Sequence, residues 1–287
     1  MGRISLLGGL VVAAAATASP LAGGSAVSLD GDVRLRLISE NAALVPGQTN
    51  WLGVQFDIEK DWHLYWKGQN DSGMPIAVTA TLPEGFEAGD LVWPAPKRHA
   101  LEGDILDHIY ETRVVLLLPV KVPAGARPGP VTLKVDAEWM VCKASCMLGD
   151  GGAELKTEVG AAGAAARPGR DAKAFAEARE RVPKPPLPGA LTTEWKGSTL
   201  LVTSGKGGTG PGKGRKLSFY PYEDSAPLEN ITRDAVSDKG MLELKLRKMG
   251  PVKGVIEISE PGSSVRPLFY VLEAAPAGSA PDPGGSR

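Results

Sequence analysis

The chain is poor in cysteine and histidine: 287 residues contain two and three of them. His63, His99 and His108 follow no zinc-ligand spacing and read as surface or packing groups. No G-x-S-x-G elbow is present to hold a nucleophilic serine, which argues against a hydrolase. Gly207 to Gly214 (G-G-T-G-P-G-K-G) imitates a phosphate loop, but Gly214 stands where a Ser or Thr must ligate magnesium, so it reads as a hairpin loop. Long apolar runs are missing as well. The best, Ile4 to Ala16, is broken by Gly8 and Gly9 and falls short of the roughly 20 residues that span a bilayer. With Arg3 before it and Ala16-Thr17-Ala18 behind it, it has the order of a secretory signal, expected over residues 1–26. No cysteine near that cleavage region offers a lipid anchor, so the mature chain is expected without stable membrane insertion, in an oxidising space.

Net charge is only −1, but it is divided. Residues 27–160 hold 19 acidic and 12 basic side chains (net −7), and residues 161–287 hold 14 and 19 (net +5). The split argues for two units. The basic half has no Arg/Lys cluster interleaved with aromatics, so no nucleic acid is expected.

What the sequence does have is W-M-V-C-K-A-S-C-M, Trp139 to Met147, holding both cysteines. A disulfide within so short a stretch stabilises little, about 2 kcal/mol for a five-residue loop against over about 4 for a bridge spanning a sandwich. A pair that can close and reopen without moving the rest of a fold suits thiol-disulfide exchange. It suits metal capture too. Met140, Cys142, Cys146 and Met147 offer two thiolates and two thioethers, soft ligands for Cu(I), although strand alternation puts Met140 and Cys142 on one face and requires the turn to bring Met147 round. Lys143 is the one nearby cation that could favour a thiolate. A passive adaptor with a structural disulfide is the third reading.

Period-two runs bounded by Gly and Pro organise the rest. Asp32 to Glu40, Asn50 to Ile58, Ile76 to Leu82, Thr112 to Val120 and Val131 to Trp139 read as strands of an antiparallel sandwich over 27–160. Within 161–185, Asp171 to Arg181 reads as a short helix with Ala174, Phe175, Ala178 and Val182 on one face, ended by the stiff linker Pro183, Pro185, Pro186 and Pro188. Thr199 to Thr203, Lys216 to Tyr220, Met241 to Leu246, Gly254 to Ser259 and Leu268 to Leu272 then predict a second sandwich over 186–275, with a disordered tail at 276–287. The fold class is all-β: two consecutive sandwiches, immunoglobulin-like by the resemblance given below, joined by a short helix and a proline-rich linker. Helix above about a third would contradict it. The aromatics in D-W-H-L-Y-W-K-G (Trp62, Tyr65, Trp66) read first as strand core and sandwich edge, and second as a wall shielding the cysteines.

Four blocks in order carry a resemblance: D-W-H-L-Y-W-K-G-Q-N-D-S-G-M-P (Asp61 to Pro75), L-V-W-P-A-P-K-R (Leu91 to Arg98), I-Y-E-T-R-V-V-L-L-L-P-V (Ile109 to Val120) and W-M-V-C-K-A-S-C (Trp139 to Cys146). Together they resemble the amino-terminal periplasmic domain of the DsbD and ScsB thiol:disulfide interchange proteins. Phe175 to Pro185 and the strands after it resemble, more faintly, the second immunoglobulin-like domain of the ScsB-type branch. The resemblance implies a periplasmic protein whose Cys142/Cys146 pair takes electrons from a membrane reductant and passes them to thioredoxin-fold isomerases, reductases or cytochrome-maturation partners, with no dissociable cofactor. It implies that Cys146 forms the mixed disulfide and Cys142 resolves it. It also implies a cap over the sulfurs in His99 to Tyr110, with Leu101, Ile105, Leu106 and Tyr110 as shielding residues. Full-length relatives continue into a membrane domain and a thioredoxin domain that are not in this sequence, so a separate electron donor is expected. The C-x3-C spacing is shorter than the C-x5-C of the best-known DsbD member.

Overall fold

The computed structural model describes residues 25–27, 32–205 and 215–276. The expected signal up to residue 24, the Gly207 to Gly214 loop and the expected tail beyond residue 276 lie outside the described residues. The chain opens with β1 (Ser25–Val27), β2 (Val33–Ser39), β3 (Thr49–Ile58), β4 (His63–Tyr65), β5 (Ala77–Thr81) and β6 (Glu87–Ala88). It continues with β7 (Lys97–Leu101), β8 (Ile105–Glu111), β9 (Arg113–Lys121), β10 (Gly129–Cys142) and β11 (Cys146–Val159). After helix α1 (Ala172–Arg181) come β12 (Leu191–Lys196), β13 (Thr199–Ser204) and β14 (Lys216–Pro221). The single-turn helix α2 (Ile231–Asp234), β15 (Val236–Ser237), β16 (Met241–Lys245), β17 (Val252–Ser259) and β18 (Leu268–Ala274) complete it. Strands hold 53% of residues and helices 6%, so the all-β expectation stands.

In the amino-terminal half one sheet runs β1-β2-β3-β9-β6 and the other β11-β10-β4-β8-β7, with β5 also paired to β10. All named pairings are antiparallel, and the two sheets face each other across one core. Alternation decides which side chains enter it: Val33, Leu35 and Leu37 from β2 point inward while Arg34 and Arg36 point out. β9 is apolar on both faces for a reason. Val114, Leu116, Leu118 and Val120 enter the main core, whereas Val115 and Leu117 meet Phe175 and Ala178 of α1 on the outer side. Burying each such side chain stabilises by about 1.5–3 kcal/mol, so the helix is fixed by packing rather than by its cap, since Asp171 makes no side-chain cap bond. Arg179 adds a paired bond to the Glu40 carboxylate and lies 5.3 Å from the Trp51 ring centroid. The chain leaves α1 extended at Val182, as the residue before Pro183 must. The proline segment is pinned: Lys184 N–H donates to Phe269 O at 3.0 Å, and Val271 N–H donates to Lys184 O at 2.9 Å.

In the carboxy-terminal half the sheets are β12-β13-β16 and β15-β14-β17-β18 around a second core that includes Leu200, Phe219, Leu242 and Ile256. The cores are not separate. Tyr220, Val255 and Phe269 join the first cluster, and the Trp66 ring lies 5.6 Å from Tyr222 and 6.4 Å from Tyr220.

Several elements went unpredicted. One is β11, whose Gly149, Gly151 and Gly152 disfavour a strand; it forms because it pairs with β10 along its whole length, Cys142 opposite Cys146 down to Gly129 opposite Val159. The stretch His99 to Tyr110, expected as a cap loop, is instead mostly a hairpin, β7 to β8, turned by Gly103 and Asp104 at φ 84° and 60°. Short β4, β6, β15 and α2 carry too few residues for a period to register, and β12 is mostly exposed and does not alternate.

Candidate functional site

β10 and β11 are fourteen-residue strands of one hairpin, and the cysteines close its end. Cys142 and Cys146 are directly opposed with Cα atoms 4.1 Å apart and are joined as a disulfide. Lys143, Ala144 and Ser145 make the turn, held by Lys143 N–H donating to Ser145 O at 3.1 Å. The two sulfur-bearing residues differ in environment: Cys142 is 2% exposed and packs with Tyr65 and Ile109, while Cys146 is exposed.

Opposed residues in antiparallel strands share a face, so the register sorts the neighbourhood. Cys142, His63 and Glu111 form one row, and Tyr65 with Ile109 and Lys97 the next; His99 opposes Asp107 on the same face. The alternate residues Val141, Leu64 and Tyr110 turn into the main core. The Tyr65 hydroxyl lies 3.2 Å from His63 Nε2 and 3.9 Å from Cys146 Sγ. The His63 ring centroid is 5.0 Å from that of His99. Burial, then the neighbouring His99, holds the His63 imidazole below its ordinary pKa, against the opposing pull of Asp107 and Glu111. Burial first, with Asp107 adding, pushes the Tyr65 phenol up, partly offset by a hydrogen bond with Ser72. Both groups are therefore neutral near pH 7. Lys97 donates to Glu111 at 2.8 Å and thereby holds that carboxyl below its usual range.

The segment after β4 fastens Tyr65 in place. Asp107, itself buried, accepts from Asp71 N at 2.9 Å, Ser72 N at 3.0 Å and Ser72 Oγ at 2.5 Å. Asp71 Oδ2 accepts from Leu106 N at 2.7 Å and Asn70 Oδ1 from His108 N at 2.7 Å. Gly73 lies flat on the Tyr65 ring, where any β-carbon would overlap it. Beside the hairpin runs a groove of about 790 Å³ floored by Ala137, Trp139 and Gly149, with Asp136, Glu138 and Asp150 among its lining. The exposed Met74 and Leu148 also line it.

Comparison with known proteins fits this arrangement. Residues 34–157 match the family model described as thiol:disulfide interchange protein DsbD, N-terminal. No curated protein matches the chain. Among solved structures, the N-terminal periplasmic domain of ScsB from Proteus mirabilis superposes with a TM-score of 0.55 at 12% identity, covering 88% of this chain and 99% of that one, a likeness of fold.

The expected site residues divide. Cys142 and Cys146 are together. Lys143 is at the turn, but its ammonium pairs with Asp61 at 3.4 Å, both half-exposed, so its field at the sulfurs is partly cancelled. Of the four expected shielding residues, Leu101 and Ile105 oppose each other at the β7–β8 tip on the cysteine face and are exposed. Leu106 and Tyr110 are buried, and Tyr110 donates to Pro94 O at 2.5 Å from within the core. The four copper candidates do not share a face: Met140 lies with Cys142, whereas Met147 opposes Val141 and packs on the main core. Among the described residues no three His, Cys, Asp or Glu side chains are grouped to hold a metal ion. Of the aromatic cluster, Trp66 is core, while Tyr65 touches the site as the shielding alternative had it. Sequence reading missed His63, although the alternation His63, Leu64, Tyr65, Trp66 already separates the site face from the core face.

Proposed function

We propose that this protein is a periplasmic electron relay, exchanging disulfides with thioredoxin-fold proteins through Cys142 and Cys146. The observation that carries it is the unequal burial of the two cysteines at a hairpin end inside a DsbD-type module. A partner sulfur can approach Cys146 without moving the fold, while Cys142 sits behind, directly opposed and ready to resolve. In the donating direction the Cys146 thiolate attacks one sulfur of the partner disulfide; the Cys146–partner bond forms as the partner's own S–S bond breaks. Cys142 thiolate then attacks Cys146, re-forming the pair and expelling the partner's second thiolate, so two electrons leave this chain and the partner takes two protons from water. A membrane reductant returns the electrons by the reverse steps.

The two sheet pairs support reading residues 27–160 and 186–275 as immunoglobulin-like sandwiches linked through 161–185, and the match to a periplasmic domain supports export. No helix among the described residues is long and apolar enough to cross a membrane.

The test is trapping in periplasmic extract. Cys142→Ser leaves no resolving thiol and should accumulate covalent, reductant-sensitive adducts with thioredoxin-fold proteins; Cys146→Ser should accumulate few. Equal trapping by both variants would overturn the assignment of roles but keep the relay, and no adducts from either would end the relay reading.

A further inference from the structure

The exchange reading leaves open what holds Cys146 as a thiolate. Lys143, the cation beside the pair in the turn, is already paired with Asp61. A hydrogen-bond chain does reach the sulfur. Tyr65 is 1% exposed, and its hydroxyl meets Cys146 Sγ at 3.9 Å and His63 Nε2 at 3.2 Å. A disulfide sulfur is a weak acceptor, which accounts for the long contact; a thiolate at the same place is a strong one, and charge-assisted bonds are about twice as strong as neutral ones.

Direction matters because a phenol has one proton. A neutral imidazole carries one N–H. With that hydrogen on Nε2, His63 donates to the Tyr65 oxygen, and the Tyr65 proton is left to face the sulfur. The neighbours suit this state. His63 stands in the row between Cys142 and Glu111, and the groups facing it and Tyr65 are Lys97 and His99 from β7, Asp107 and Glu111 from β8, and Ser72, whose hydroxyl also hydrogen-bonds the phenol. Lys97 and Glu111 neutralise one another, and Asp107 is occupied by the backbone of Asp71 and the backbone and hydroxyl of Ser72. Gly73 against the ring keeps the phenol from swinging away.

We propose that Tyr65 donates the hydrogen bond that stabilises the Cys146 thiolate, and that His63 is a positioning residue whose Nε2–H holds the Tyr65 oxygen and aims its proton at the sulfur. This rests on the exchange reading above. Tyr65 and His63 keep their protons throughout; the thiol proton leaves to water from the exposed Cys146, and the electron pair goes to the partner sulfur as already balanced.

The experiment is titration of Cys146 in the full chain carrying Cys142→Ser, so that one thiol is followed, by thiolate absorbance and by the pH dependence of iodoacetamide alkylation. Adding Tyr65→Phe should raise the Cys146 pKa by about one unit, a roughly tenfold smaller thiolate fraction at pH 7, as expected for losing one hydrogen bond to a charge. His63→Phe should shift it the same way by less, and His63→Gln, whose amide N–H can replace Nε2–H, should restore most of the parent value. Should Tyr65→Phe fail to fold, the sign of the His63→Phe shift still decides. If Tyr65 instead donated to His63, removing the imidazole would free the phenol and lower the Cys146 pKa. That fall, or a Tyr65→Phe titration identical to the parent's, overturns the proposal. The titration uses no partner protein, so its failure is separable from failure of the relay, which the adducts report.

Discussion

Reducing the Cys142–Cys146 disulfide should cost little stability, and the amount can be worked out. The bridge closes a loop of five residues, Cys142 to Cys146, and the chain-entropy relation for that length gives about 2 kcal/mol at 25 °C. This is an upper figure, because the fold around the bridge does not depend on it. The β10–β11 ladder continues from Val141 opposite Met147 to Gly129 opposite Val159, and behind it Trp139 packs edge-on to Phe56 with ring centroids 5.5 Å apart. Cys142 keeps its packing against Tyr65 and Ile109 as a thiol. For a chain of this size, about 2 kcal/mol is roughly 4–8 °C in Tm. Urea unfolding followed by tryptophan fluorescence, with and without a phosphine reductant, measures the difference, and the m-value should be unchanged because the same surface is exposed. A loss of 4 kcal/mol or more would mean that the pair is a staple, and the case for a readily opened redox pair would fall with it.

Two further outcomes are expected. His108 is buried beside Tyr220, donates from Nδ1 to Gln69 O at 2.6 Å, and has no partner at Nε2; burial pushes its pKa down to about 4. The unfolded chain, at about 6.5, binds the proton first, so this group's contribution is complete above pH 6.5 and is lost as pH falls toward 4, by roughly 3 kcal/mol in all. Urea midpoints at pH 7 and 4.5 should show the loss and His108→Asn should flatten it; an equal slope in the variant would locate the acid sensitivity elsewhere. Second, Asp136, Glu138 and Asp150 at the groove give the module an acidic approach, so association with a basic partner should slow as salt rises through about 0.1 M, where exposed charges are screened beyond about 10 Å. Stopped-flow rates independent of ionic strength would remove the groove from the encounter.

The sequence carried the strands that alternate or run apolar, because one residue in two must enter the core: β2, β3, β9, β14 and β17 lie within two residues of their expected bounds. The helix face Ala174, Phe175, Ala178 and Val182 was legible for the same reason. What escaped depends on partners distant in sequence. β11 is glycine-rich and is a strand only because β10 lies opposite. The contact between Tyr65 and Cys146 joins residues 81 apart, and the Lys143–Asp61 pair that weakens the expected electrostatic role of Lys143 is closed by a backbone turn at Asp61 with φ 71°. The cysteines announced themselves by spacing, but no local pattern distinguishes a tyrosine in a wall from one in a core. Register does, and register is settled by which residues oppose one another across strands.

The segment between β4 and β5 connects matters that the sequence presents as separate. Its first residues face the carboxy-terminal half: Gly68 is wedged between the Trp66 ring and Pro221 O, Gln69 N–H donates to Pro221 O at 3.1 Å, and the Gln69 side chain donates to Ser225 O at 2.9 Å. Its later residues, Asp71 to Gly73, clamp Asp107 and cover Tyr65. The β7–β8 hairpin is held from the same side, since Arg98 donates to Thr232 O at 2.9 Å in α2 and Thr232 Oγ1 donates to Asp104 at the hairpin turn at 3.2 Å. The second half thus grips both elements that border the cysteine face. The relay proposed above would offer Cys146 to a partner without opening its core, which calls for neighbours whose positions are over-determined. Here the determination comes from a shared apolar seam around Trp66, Tyr220 and Tyr222 rather than from the hairpin that bears the chemistry.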